Sequence, residues 1–325
     1  MPPIKPNPEF NTQHMKTPYL LLALLLSTAA LKAQTTAKDT GSTDAILKNL
    51  ATPDKGEPVI ATFKATRLIL SQTTETVKKN ELNFLVIHRF GDVGGSSGGG
   101  KTLWGLDNSS DIYIGFEYGI TDNLNVDFGR SKFEQLLDLQ LKYYLLHQTV
   151  DNSMPVAISI LGKTGFKPYS VTTNVFDSYG NRFSYLAQAI IARKFSSKLS
   201  LQVSPSYIIN NVPYPFIAGN EKNFFSLSAA GRLKLTKRMG VVVDYVHPFS
   251  SFRQNSISPA FYDGLGVGIE IETGGHVFTM YFTNAQAISE INYLNDTESS
   301  WSKGQYRFGF TISRIFDFNK KHKNY

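Results

Sequence analysis

The sequence predicts an all-β protein, a transmembrane antiparallel up-and-down β-barrel of about 12 strands, with 14 as the second choice. Three observations predict this fold. Segments of alternating apolar and polar residues recur along the chain, the loops between them are by turns short and long, and few helical stretches are available to cover the apolar faces. Because strand side chains point alternately to opposite faces, an uncovered sheet of this kind is expected to close on itself in a bilayer.

The stretch 135–146 shows the alternation most clearly. Its apolar positions are Leu137, Leu139, Leu141, Tyr143 and Leu145, and between them lie Asp138, Gln140 and Lys142. One face of this strand is therefore apolar and the other is charged, as expected for a wall strand between lipid and a polar lumen.

The front of the chain predicts export. Residues 15–33 have a basic start, a short apolar middle and a small residue at Ala33, which describes a signal peptide cleaved near Ala33/Gln34, with Leu31/Lys32 as the alternative. Residues 1–14 are interpreted as a spurious or disordered leader, 34–58 as a mostly disordered periplasmic lead-in, 59–318 as the barrel and 319–325 as a basic tail. The predicted location is the cell outer membrane.

Thirteen segments are strand candidates, whereas bacterial single-chain barrels normally have an even number of strands. The candidates are 59–70, 81–90, 111–120, 124–128, 135–146, 156–160, 183–195, 198–209, 223–235, 241–245, 265–271, 278–282 and 305–318. The first two alternate impurely. We interpret 59–70 as either a wall strand or a segment folded against the inside or the rim, and discounting it leaves 12.

The connections alternate in length. Short turns are predicted at 121–123, 147–153, 196–197, 236–239 and 273–275, and long loops at 91–110, 164–182, 210–222, 248–261 and 285–302, with 131–134 as a short exception. This indicates short periplasmic turns and longer outer loops. The amphipathic, aromatic C-terminal strand resembles the sorting signal that the barrel-insertion machinery reads, so that machinery is a predicted partner, as is outer-membrane lipid.

The charged residues of the polar faces are the predicted lumen lining. They are Glu117, Asp127, Asp138, Lys142, Arg232, Lys234, Asp244, Glu270, Glu272 and Arg307. In a narrow barrel these charges pair and plug the bore, whereas in a wide barrel they line an aqueous path.

No motif predicts catalysis, a cofactor or a metal. Gly95 and Gly100 give the spacing of a phosphate-binding loop before Lys101-Thr102, but neither the buried parallel strand nor the helix that such a loop needs is predicted around it. None of the six His residues forms a metal-binding pair. The net charge of +7 is scattered rather than arranged in a basic stripe, so nucleic-acid binding is not predicted.

Several short stretches resemble a family of Gram-negative β-barrel proteins known as domain of unknown function 5777. They are Ala61-Thr62-Phe63-Lys64 with Arg67, His88-Arg89-Phe90-Gly91, Gly115-Phe116-Glu117-Tyr118-Gly119-Ile120-Thr121, and Asp127-Phe128-Gly129-Arg130-Ser131 leading to Leu141-Lys142-Tyr143. The resemblance runs from about Pro58 onward. It implies an outer-membrane barrel, and it supplies no catalytic residue and no substrate.

Three hypotheses of function follow. The leading one is a monomeric, porin-like barrel that passes or binds a small polar solute or ion, favoured if the charged bore is open to water. The second is a closed structural or docking barrel that presents its outer loops to a partner, favoured if the lumen is fully paired. The third, a barrel-embedded lipid-modifying enzyme, would need a Ser–His contact on the lipid face.

Overall fold

The computed structural model describes residues 56–168, 176 and 178–319. The predicted leader, the signal peptide, nearly all of the lead-in and all but the first residue of the basic tail lie outside the described residues.

Twelve antiparallel strands form one closed barrel in which each strand pairs with its neighbours in sequence and the last pairs with the first. The strands are β1 (Glu81–Asp92), β2 (Ser109–Gly119), β3 (Leu124–Ser131), β4 (Leu137–Leu146), β5 (Ala157–Phe166), β6 (Phe183–Lys194), β7 (Leu199–Asn210), β8 (Asn223–Lys234), β9 (Met239–Phe249), β10 (Gly264–Thr273), β11 (His276–Thr283) and β12 (Arg307–Asp317). Two short helices, α1 (Ser251–Asn255) and α2 (Glu290–Tyr293), lie in the last two long loops. The prediction of 12 strands is confirmed.

The two faces of the wall differ as the alternation predicts. In β4, Leu139 and Leu141 are each 53% exposed on the outside, whereas Asp138 and Lys142 are buried inside. The barrel closes where Leu85 and Val86 of β1 pair with Ser313 and Ile312 of β12. No helix among the described residues is long and apolar enough to cross a membrane.

The predicted alternation of short turns and long loops is confirmed, so the barrel has a short-turn end and a long-loop end. The prediction of a loop at 164–182 was wrong at its start. Thr164, Gly165 and Phe166 continue β5, because they pair with Tyr185, Ser184 and Phe183 of β6.

Residues 59–80, here called the inner hairpin, fold inside the barrel and not in its wall. The chain enters at the short-turn end, where the Val59 N–H donates to Gln148 O at 2.7 Å. It turns back where the Leu68 N–H donates to Ser71 O at 2.9 Å, and it returns to Asn80 beside Gly119. Of the alternatives that the sequence left open for 59–70, the structure therefore shows the inside position.

Residues 284–306, here called the inserted loop, enter the barrel from the long-loop end between β11 and β12. Ala285, Ala287, Ile288 and Ile291 of this loop are 0–1% exposed. Because these apolar side chains are removed from water, the loop is packed as a core element and does not lie over the barrel mouth.

The apolar core of the molecule lies where the two inserted segments meet the wall. Leu68, Ile69 and Leu70 at the tip of the inner hairpin belong to one buried cluster with Ile87 of β1 and Ile288 of the inserted loop. Room for the tip comes partly from Gly266 in β10, where an added Cβ would lie 2.5 Å from Ile69 Cγ2.

Candidate functional site in the lumen

A neutral cluster of four buried charges joins both inserted segments to the wall. Arg67 of the inner hairpin pairs with Glu290 of the inserted loop at 2.7 Å from Nη2 to Oε1. Lys163 of β5 also pairs with Glu290 and lies 3.7 Å from Asp138 of β4. All four side chains are at most 2% exposed. Two cations therefore face two carboxylates, and burial makes each charge depend on the others.

Arg89 of β1 is a second junction. Its Nη2 donates to Ile69 O of the inner hairpin at 2.9 Å, and its Nη1 donates to Ala285 O and Ala287 O of the inserted loop. Arg89 is completely buried. One wall guanidinium thus satisfies backbone carbonyls of both segments, which would otherwise be buried without a donor.

Two wall carboxylates bind backbone N–H groups of the inserted segments. Asp244 of β9 accepts from the N–H groups of Leu70 and Ser71, at 2.8 and 2.7 Å, and from the Ser71 hydroxyl at 2.7 Å. Asp111 of β2 accepts from the Ile288 N–H at 2.8 Å. Asp244 therefore caps the turn of the inner hairpin, whereas Asp111 also accepts from the Ser131 hydroxyl and the Phe133 N–H beside it.

The structure buries eight of the ten predicted lumen residues and leaves two partly exposed. The buried ones are Glu117, Asp127, Asp138, Lys142, Arg232, Asp244, Glu270 and Arg307. Lys234 and Glu272 lie near the short-turn ends of β8 and β10.

Several of these ten residues contact the inserted segments as well as the wall. Glu117 accepts from the Thr66 hydroxyl at 2.6 Å, and Lys142 donates to Thr66 O at 3.3 Å. Arg307 donates to Asn284 O at 2.6 Å. Glu272 pairs with Lys64 of the inner hairpin at 3.1 Å.

Other contacts of these residues stay within the wall, among them the pair of Arg307 with Asp92. Arg232 pairs with Glu270 at 2.6 Å, and Asp127 accepts from Gln140.

Sequence reasoning missed five residues that carry the junctions. These are Arg67, Arg89, Asp111, Lys163 and Glu290. Two features of the sequence indicated that the interior of the barrel is packed. Leu85 and Ile87 place apolar side chains on the inner face of β1, and the inserted loop carries Ile288, Ile291 and Leu294 where an outer loop should be polar.

Cavities lie at both ends of the barrel. One of about 420 Å³ is lined at the short-turn end by 57–60, 148–150, 152 and 193–197. One of about 60 Å³ lies at the long-loop end beside Arg253. Neither is lined by residues from the middle of the barrel, where the inner hairpin and the inserted loop meet.

Lys167, just beyond β5 at the long-loop end, gives a pH prediction. Burial lowers its pKa from 10.5 to about 8, although Glu134 lies 3.7 Å from its Nζ. Below pH 8 the folded state holds a buried ammonium, and above pH 10.5 Lys167 is neutral in both states. Stability should therefore rise across this window, by about 3 kcal/mol at most.

The measurement for Lys167 is urea unfolding in lipid vesicles at several pH values, with Lys167→Met as the matched background for all other titrating groups. The difference in the free energy of unfolding between the two proteins should change by that amount in favour of the wild type as pH rises. A difference that stays constant across the window would contradict the prediction.

No group of three or more His, Asp or Glu side chains among the described residues is placed to hold a metal ion.

These features define a membrane-bound β-barrel with a filled lumen. Residues 63–316 match the model of a family described as membrane bound beta barrel domain (DUF5777). This match covers most of the 325 residues, and the chain belongs to that family, which confirms the resemblance seen in its short motifs. The matched range contains most of the inner hairpin and the whole inserted loop. Among curated proteins, none matches the chain by sequence.

Several solved outer-membrane proteins are similar in fold. The COG4313 outer membrane channel from Pseudomonas putida F1 is 11% identical with a TM-score of 0.47, over 75% of this chain and 98% of that one. The NanC porin is 8% identical with a TM-score of 0.44, over 72% and 98%. The KdgM porin is 5% identical with a TM-score of 0.41, over 74% and 99%.

Proposed function

We propose that the protein is a monomeric outer-membrane channel for a small polar solute or ion, and that the inner hairpin and the inserted loop close it. The observation that carries the proposal is which groups the charged side chains of the wall contact. Asp244, Asp111 and Arg89 bind backbone groups of the two inserted segments and not one another. When the segments leave, these charges become the lining of an aqueous path.

Barrel width supports the same proposal. Wall side chains can fill the interior of a barrel of about eight strands, whereas wider barrels leave a lumen. A barrel of 12 strands needs additional chain to close it, and here two separate segments supply that chain. The ladder from β1 to β12 does not include the two segments, so they can leave the lumen without unfolding the wall.

A closed structural or docking barrel is the second candidate function. The neutral cluster of Arg67, Glu290, Lys163 and Asp138 favours it, since these four buried charges compensate one another without water. We propose no enzymatic activity, because the sequence offers no catalytic motif. The proposed partners are outer-membrane lipid and the barrel-insertion machinery, and we propose no nucleic-acid partner.

Reversible tethering of the inner hairpin tests the channel. The chain has no cysteine, so introduced thiols are unique. Thr62 of the hairpin and Ser200 of β7 adjoin, with 2.6 Å from Ser200 Oγ to Thr62 O. In a planar bilayer, the Thr62→Cys, Ser200→Cys protein should show voltage-induced openings when reduced. It should show none when a short bifunctional thiol reagent bridges the pair, and reduction should restore them.

The matched control bridges two wall strands and leaves the hairpin free. Ser206 of β7 and Ser226 of β8 have their hydroxyl oxygens 2.6 Å apart, so Ser206→Cys, Ser226→Cys accepts the same reagent. Its openings should persist after bridging. Equal current from the hairpin pair with and without the bridge would contradict closure by the hairpin. No current from folded, heat-modifiable protein in any state would favour the docking barrel.

A further inference from the structure

The guanidinium of Arg253 lies buried at the long-loop end. Arg253 belongs to α1 and is 6% exposed. Its Cζ lies 4.6 Å from the ring centroid of Phe261 and 5.2 Å from that of Phe224. Two aromatic rings therefore contact the cation, which fixes the guanidinium in one position and removes it from water.

This cation lacks a hydrogen-bonded partner among the described residues. Its Nε and Nη2 are buried and reach no acceptor. Glu221, Asp296 and Glu298 act on it only from a distance, and burial lowers the pKa of Arg253 to about 10 in spite of them. A buried charge of this kind is costly until an opposite charge with matching acceptors binds it.

A cavity of about 60 Å³ adjoins the side chain, lined also by His247, Gln254 and Asp263. The Asp263 carboxylate does not accept a hydrogen bond from Arg253. Instead Tyr245 donates to it, and His247 Nδ1 lies 2.9 Å from both its oxygens. The lining thus combines one unpaired cation with one carboxylate that is already engaged.

We propose that this cavity is an anion site that takes the carboxylate of a small organic acid. A planar carboxylate matches the planar fork of a guanidinium, and the cavity has room for little more than the acid group. The surrounding carboxylates Glu221, Asp296 and Glu298 favour a monoanion over a phosphate dianion. The idea that this acid is the transported solute rests on the proposed function, whereas the proposal of a binding site does not.

The test is saturation-transfer NMR of acetate with the refolded full chain in detergent at low chloride. Acetate should bind the wild type saturably, and acetamide, its neutral analogue, should not bind. Arg253→Gln should weaken acetate binding by about tenfold or more, since it removes a charged donor. Arg253→Lys, which keeps the charge but not the fork, should fall between them.

The matched control is Arg193→Gln at the short-turn end. Arg193 also lies over an aromatic ring, 5.3 Å from Phe195, but its Nη2 has an acceptor in Asn152. This variant should bind acetate as the wild type does. Absent acetate binding, or binding that Arg253→Gln leaves unchanged, would overturn the site, and tighter binding of inorganic phosphate would overturn the carboxylate assignment. Acetate binding by a barrel that never conducts would overturn only the channel.

Discussion

Replacing Glu290 with glutamine is expected to open the lumen. The change leaves Arg67 and Lys163 buried around one remaining carboxylate, Asp138, so the neutral cluster gains a net positive charge. Removing one partner of a buried ion pair costs about 3–5 kcal/mol. The inner hairpin should therefore leave the lumen more often, by roughly 10²–10³-fold.

Thiol labelling measures this opening. A single cysteine at Ser71 reports on the inner hairpin, and a single cysteine at Ala287 reports on the inserted loop, since both positions are buried in the closed barrel. Both labelling rates should rise together in Glu290→Gln, because Arg89 binds the backbone of both segments. A rise at only one position would show that the segments move independently.

Two further variants test the charge argument. Arg67→Met combined with Glu290→Gln removes the pair and leaves Lys163 beside Asp138, so labelling should fall back toward the wild-type rate. Glu272→Gln breaks a half-exposed pair with Lys64, which is worth about 1 kcal/mol or less. Its labelling rates should stay close to those of the wild type. If Glu272→Gln opens the barrel as much as Glu290→Gln does, burial does not control the closure.

The wall was predictable because lipid and lumen impose opposite demands on successive residues. In β4 every outward position is apolar and every buried position between Asp138 and Lys142 is polar, so the alternation is visible without a structure. The lengths of the turns could be predicted equally well, since the short connections need only close a hairpin. These local rules yielded 13 strand candidates, which the even strand number of bacterial barrels reduced to 12, and they placed the predicted lumen charges on the polar face.

The interior was not predictable from the same rules, because it depends on contacts between residues far apart in the chain. Arg67 and Glu290 are separated by 223 positions, and no local pattern links them. The inner hairpin alternates poorly since its tip packs on apolar wall residues while its stem binds polar ones. The impure alternation of β1 has the same cause, as Leu85 and Ile87 face the buried interior of the barrel.

Replacing Asp244 with alanine is expected to release the inner hairpin. Asp244 is fully buried and accepts three hydrogen bonds at the hairpin turn, two of them from backbone N–H groups of Leu70 and Ser71. Without the carboxylate these donors have no partner in the closed barrel, whereas water satisfies them once the hairpin leaves. The closed state should lose on the order of 3–5 kcal/mol.

The Ser71→Cys background again reports the change, because it retains both backbone bonds to Asp244. Labelling should accelerate by roughly 10²–10³-fold in Asp244→Ala and less in Asp244→Asn, which keeps one acceptor oxygen. Asp127→Ala is the matched control, since Asp127 is also a buried lumen carboxylate but accepts from Gln140 of the wall. Equal acceleration in Asp127→Ala would mean that loss of any lumen carboxylate loosens the barrel. Acceleration confined to Asp244→Ala would mean that the wall holds the hairpin at its turn, and that the hydrogen bonds accepted by Asp244 control the closure.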